Sequence, residues 1–107
     1  MISKPKLDPK IAEKIKRREN QLLLHACLYY EFNLNLISDD KYDRWSFELK
    51  DLIDRYPAEF KASPYYKEFK DFVPDSGYYL PYKLKLRRAQ WFKRMYEEDL
   101  QEKAGKQ

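Results

Sequence analysis

Residues 25–57, HACLYYEFNLNLISDDKYDRWSFELKDLIDRYP, constrain the fold more than any other part of the chain. They read as the end of one helix, a short loop at residues 33–37 and the whole of a second, amphipathic helix. Ser38 stands where an N-cap is needed. Asp39 and Asp40 follow in the first turn, where exposed N–H groups and the helix dipole favour carboxylates. Tyr42, Trp45, Leu49, Leu52, Ile53 and Tyr56 recur on one face at the 3.6-residue period, while Asp39, Asp43 and Asp54 share another. Pro57 cannot continue the helix and ends it. Packing accounts for the apolar stripe. It does not account for adjacent tyrosines, Tyr29 and Tyr30, ending one helix while an Asp-Asp-x-Tyr-Asp cluster opens the next.

The rest of the chain supports a single, mainly α domain spanning residues 1–107. It has a helix–loop–helix core, an irregular Pro/Tyr-rich connection at residues 66–82 and a C-terminal helix over residues 83–103. At 107 residues with only two glycines, the chain suits one modest helical core better than turn-rich β structure. The first helix starts at Asp8, a good N-cap, followed by Pro9. Ile11, Ile15, Leu22, Ala26 and Tyr29 form its stripe, interrupted at Arg18, and residues 22–30 are apolar almost all round. That segment is expected to pack on more than one side. His25 reads as a packed residue and the lone Cys27 as a buried filler. One cysteine and one histidine give no disulfide framework and no metal pattern. No apolar run approaches the length of a membrane span, and the N-terminus lacks the apolar core of a secretory signal, so a cytoplasmic protein is expected.

The spacing within residues 10–65 resembles a known family. Tyr29-Tyr30, Ile37-Ser38-Asp39, Tyr42-Asp43, Glu48-Leu49 and Tyr56-Pro57 stand in the order and register of the small N-terminal Ia domain of bacterial NAD-dependent DNA ligases. Ser63-Pro64 resembles the Ser-Pro that follows there. In that family the module covers the nicotinamide mononucleotide half of NAD, while a separate nucleotidyltransferase domain performs adenylation. The resemblance implies that Tyr29 and Tyr42 hold the nicotinamide ring and that Tyr30 lies near the ribose-phosphate. It also implies that Asp39 and Asp43 address the ribose hydroxyls and the carboxamide side, with NAD or nicotinamide mononucleotide as ligand. The ligases' adenylating lysine lies in Lys-x-Asp-Gly. Lys6-Leu7-Asp8-Pro9 has proline where that glycine belongs and precedes the helical module, so the chain is not expected to act as an enzyme on its own.

Net charge is +4, but its distribution is uneven. Residues 1–18 carry seven basic and two acidic side chains, residues 19–82 seven and twelve, and residues 83–107 eight and four. Basic ends around an acidic middle suit phosphate contacts, a complementary protein surface or internal pairing. Tyr65, Tyr66, Phe69 and Phe72 suggest a short packed helix, and residues 74–77 a turn. Residues 78–82 read as either a strand or an irregular crossing. In the final helix Leu84, Trp91 and Met95, flanked by Phe92 and Tyr96, make a broad aromatic face beside Arg87, Arg88, Lys93 and Arg94. That helix either folds back over the core or offers these basic residues to a nucleic-acid or protein partner. Phe47 is the one large apolar residue on the acidic face of the second helix. Two function classes follow: a freestanding nicotinamide-nucleotide module acting with a separate nucleotidyltransferase, or a small interaction or regulatory protein, as a phage or other mobile element would encode.

Overall fold

The computed structural model describes residues 7–74 and 80–105. Five α-helices and one 3-10 helix make up an all-α domain, with no strand among the described residues. They are α1 (Pro9–Phe32), α2 (Asp39–Arg55), α3 (Pro57–Lys61), α4 (Tyr66–Phe69), a 3-10 helix (Tyr82–Lys85) and α5 (Leu86–Gly105).

α1 and α2 begin as the sequence predicts. The Asp8 carboxylate accepts from the Lys10 amide at 2.9 Å, with Pro9 in the first turn, and the Ser38 hydroxyl accepts from the Lys41 amide at 3.1 Å. α1 ends at Asn33, whose φ of 52° lies in the left-handed region that Asn tolerates better than most residues. The Leu34 amide then reaches back to the Leu28 carbonyl at 2.9 Å and the Asn33 amide to the Tyr29 carbonyl at 3.1 Å, satisfying last-turn carbonyls. This reversal lays α2 back along α1.

Pro57 does end α2, but it also starts α3, a further helix that the sequence reading did not include. A first-turn residue needs no N–H, and proline's fixed φ suits that position. The connection expected to be irregular carries one helical turn, α4, within the short helix suggested from residue 65 to residue 72. The expected turn and strand-or-crossing segment fall largely on residues 75–79, outside the described residues. The C-terminal helix begins at Leu86 after a 3-10 turn and reaches Gly105, two residues past its expected end.

α1 serves two cores, as its all-round apolar segment implies. On one side Ile15, Leu22 and Leu23 meet Leu49 and Leu52 of α2, Phe60 of α3, Phe69 of α4, Phe72 and Leu80. On the other, Cys27 and Leu28 pack with Ala89 of α5, joined by Leu24, Phe32, Leu34, Leu86 and Phe92. Contacts advance together along α1 and α5: Asn20 meets Lys85, Cys27 and Leu28 meet Ala89, and Phe32 meets Lys93. The two helices are therefore parallel, and α5 outlasts α1, leaving residues 94–105 exposed throughout.

α5 does fold back on α1, and most of its broad aromatic face stays outward. Leu84, Trp91 and Met95 stay largely exposed, and the contact is made by Ala89 with Leu86 and Phe92. A small residue allows the helix axes to approach closely. Trp91 and Met95 lie on the far side of the helix.

Candidate functional site

The helix–loop–helix corner creates a cleft of about 310 Å³. α1 contributes His25, Ala26, Tyr29 and Tyr30, the loop contributes Leu34, Asn35, Leu36 and Ile37, and α2 contributes Asp39, Tyr42 and Asp43. All five residues that the ligase resemblance singles out therefore line one cavity. Their convergence follows from local geometry: Asp39 and Asp43 are one helical turn apart on α2, and the left-handed Asn33 reverses the chain so that α2 faces the last tyrosines of α1.

The aromatic walls are arranged by ring contacts. Tyr29 is 47% exposed and meets Tyr30 edge-to-face, with centroids 5.0 Å apart. Tyr30 in turn stacks on Tyr82, with centroids 5.4 Å apart and planes 29° from parallel. Tyr42 is half-buried, packs against the first core and directs its hydroxyl to the Leu22 carbonyl at 3.5 Å. One tyrosine is thus held firmly by the core, while two stand near the rim. Asp39 and Asp43 are both exposed.

His25 was expected to be a packed residue, and its ring does lie against Trp45 at 5.6 Å with a tilt of 57°. It also lines the cleft, which the sequence reading missed, although its place one turn before Tyr29 puts it on the same face. Burial, and then the nearby Lys41 charge, lower its pKa, so the imidazole is neutral at pH 7. Trp45 also sits beneath the Arg18 guanidinium and the Lys41 ammonium, each 5.2 Å from its ring. The cleft thus combines aromatic surface, a neutral imidazole and two carboxylates.

No protein-family model matches the sequence, and neither a curated protein nor a solved structure matches it.

The basic residues of α5 are not part of this cleft. Arg87, Arg88 and Arg94 are exposed, and none has an ion pair among the described residues. Arg88 lies over Trp91 and Phe92 at 5.7 and 5.4 Å. Lys93 is engaged within the fold, pairing with Glu97 at 3.1 Å and sitting over Phe32 at 5.8 Å. Phe47 is 61% exposed on α2.

Two chemically notable groups lie outside the cleft. Cys27 is fully buried, and burial together with Glu31 pushes its thiol pKa up to about 11. Glu19 is fully buried as well: one carboxylate oxygen accepts from Ser63 Oγ at 2.8 Å and the other has no partner. Burial drives its pKa up to about 7, against the opposing hydrogen bonds from Ser63 and the Tyr65 amide. Among the described residues no group of three His, Cys, Asp or Glu side chains is placed to hold a metal ion, and no helix is long and apolar enough to cross a membrane.

Proposed function

We propose that the corner cleft binds nicotinamide mononucleotide, or that half of NAD, and that the chain works as a non-catalytic module beside a separate nucleotidyltransferase. The observation that carries this reading is the gathering of Tyr29, Tyr30, Asp39, Tyr42 and Asp43 around one cavity. Oxidised nicotinamide is a flat cation. Aromatic faces attract it by about 0.5–2 kcal/mol each, and a neutral His25 adds no repulsive charge. Asp39 and Asp43 are acceptors suited to ribose hydroxyls. The cavity stands at the small end of the roughly 300–1,000 Å³ range of ligand clefts, which suits one nucleotide better than a dinucleotide. The other half of NAD then falls to a partner domain, and without a Lys-x-Asp-Gly motif the adenylation step does too.

Titration with nicotinamide mononucleotide, followed by heteronuclear NMR, tests the reading. Resonances of residues 25–43 are expected to shift, and Asp43→Ala is expected to weaken the response without altering the fold. Absence of shifts at millimolar ligand refutes it. The exposed apolar and basic surface of α5 favours a second reading, a small interaction or regulatory protein, and that reading is independent of the cleft.

A further inference from the structure

α5 carries its charges in an order that does not favour an isolated helix. Residues 86–95 hold four basic side chains and no acidic one, whereas residues 96–105 hold four acidic and one basic. The helix dipole favours acids at the N-terminal end and bases at the C-terminal end, the reverse of this order. Two internal pairs, Lys93–Glu97 and Lys103–Asp99, each at 3.1 Å, offset part of the cost. Arg87, Arg88, Arg94, Glu98 and Glu102 have no ion pair among the described residues. Glu98 and Glu102 are also one turn apart, where like charges repel.

The same helix presents an outward stripe. Arg88, Trp91, Met95, Glu98 and Glu102 follow one another in alternating steps of three and four residues, the spacing of a two-helix seam, and Leu84 stands before them in the 3-10 turn. All six are exposed; Trp91, Met95, Glu98 and Glu102 lie on the side of α5 away from Ala89, and Arg88 lies on the flank, beside Asn20, Gln21 and Leu24 of α1. The apolar members fall in the basic half and the acids in the other.

We propose that this outer face of α5 is a self-association surface, on which a second copy of the chain docks antiparallel so that the basic half of each helix lies along the acidic half of the other. Crossing at Met95 sets Arg88 opposite Glu102 of the second copy, sets Trp91 opposite its Asp99, and buries the two Met95 side chains together. The two-fold repeats every contact, as a closed dimer requires. The projection of residues 94–105 beyond α1 leaves each acidic half free to reach over the other molecule's basic half. Charge order selects this occupant. A parallel pairing would align like charges, and a nucleic acid would be repelled by the acidic half.

Sedimentation velocity on the full chain, with two charge-reversed variants, tests the proposal. Mass is expected to rise from 13.2 kDa towards twice that value across the micromolar range, and the rise is expected to weaken with salt. Arg88→Glu/Arg94→Glu and Glu98→Arg/Glu102→Arg are each expected to lose at least about tenfold in self-association. An equimolar mixture of the two is expected to recover it. Met95→Glu, at the crossing point, is expected to give a monomer whose helical circular dichroism matches wild type. A wild-type chain that stays at monomer mass overturns the proposal. So do reversed variants that associate as wild type does, or a mixture that fails to associate.

Discussion

Replacing Glu19 by glutamine offers the sharpest test of how the domain is held together. Glu19 lies on α1 within the first core and anchors the α3–α4 corner through Ser63. Its surroundings oppose ionisation: burial dominates, and Glu68 adds a like charge. Moving a glutamate from its ordinary 4.5 to about 7 corresponds to about 3 kcal/mol. The sign follows from which state holds the proton. Below pH 4.5 both folded and unfolded chains are protonated at this site, and the full contribution is present. As pH rises towards 7 the unfolded chain releases its proton first, so stability falls, and above the folded value the loss is complete. Glutamine cannot titrate. The free-energy difference between wild type and Glu19→Gln, from urea denaturation monitored by far-UV circular dichroism, is therefore expected to move by about 2–3 kcal/mol against wild type between pH 4 and pH 8. Other titrating groups cancel in this difference. The fixed cost or gain of a new amide, about 1–3 kcal/mol, offsets the curve without changing its slope. A difference constant across that range would refute the argument that Glu19 is folded away as an acid.

Other perturbations follow from single contacts. Asn33→Ala forces alanine into a left-handed conformation and is expected to cost about 1–2 kcal/mol, whereas Asn33→Gly should be tolerated; thermal melts of the two separate backbone strain from side-chain loss. Ser38→Ala removes the α2 cap and is expected to cost about 1 kcal/mol in the same assay. Cys27 should resist alkylation at pH 8 until the chain unfolds, with labelling that tracks urea concentration; rapid labelling of the native chain would contradict its burial and raised pKa. Burial opposes ionisation of Glu48, but hydrogen bonds and charges from Arg18 at 3.2 Å and Lys14 at 3.3 Å prevail and lower its pKa. Its contribution is accordingly present at neutral pH and lost as pH falls through that lowered value. Arg18→Ala should therefore destabilise at pH 7 and do so less in acid, as paired denaturation curves would show.

The capped helices were legible because their signals are local. Asp8-Pro9 and Ser38-Asp39-Asp40 each carry their own hydrogen-bonding logic, and the stripe from Tyr42 to Tyr56 needs only periodicity. The corner was legible for the same reason, since a short loop fixes which residues meet across it. Glu19 was not recognised, although the stripe leaves a gap between Ile15 and Leu22 that position 19 fills. Its partner Ser63 lies 44 residues away, and no local rule says that a hydroxyl will be there. Which face of α5 packs was left open by the sequence, because size does not stand for burial. Trp91 and Met95 carry more apolar surface than Ala89, yet Ala89, with Leu86 and Phe92, meets Cys27 and Leu28 of α1.

The division of labour within the cleft bears on whether its side chains are there for the fold. Tyr42 belongs to the first core, so its loss would mix stability with binding. Tyr29, Asp39 and Asp43 are exposed, and the ring contact of Tyr29 is with the neighbouring Tyr30. Substitution at such positions ordinarily changes stability by no more than about 0.5 kcal/mol. Tyr30 adds a stacked contact with Tyr82, worth about 0.5–1.5 kcal/mol. The fold thus has little use for an aromatic at position 29 or a carboxylate at 43, while Asp39 serves it through the N-terminal dipole of α2, worth about 0.3–1 kcal/mol. Tyr29→Ala and Asp43→Ala are accordingly expected to melt with wild type, and Asp39→Ala to lose no more than about 1 kcal/mol, while all three reduce any nucleotide response. If instead all three unfold the chain, the cleft is a by-product of packing, and its residues are retained for the helical corner alone.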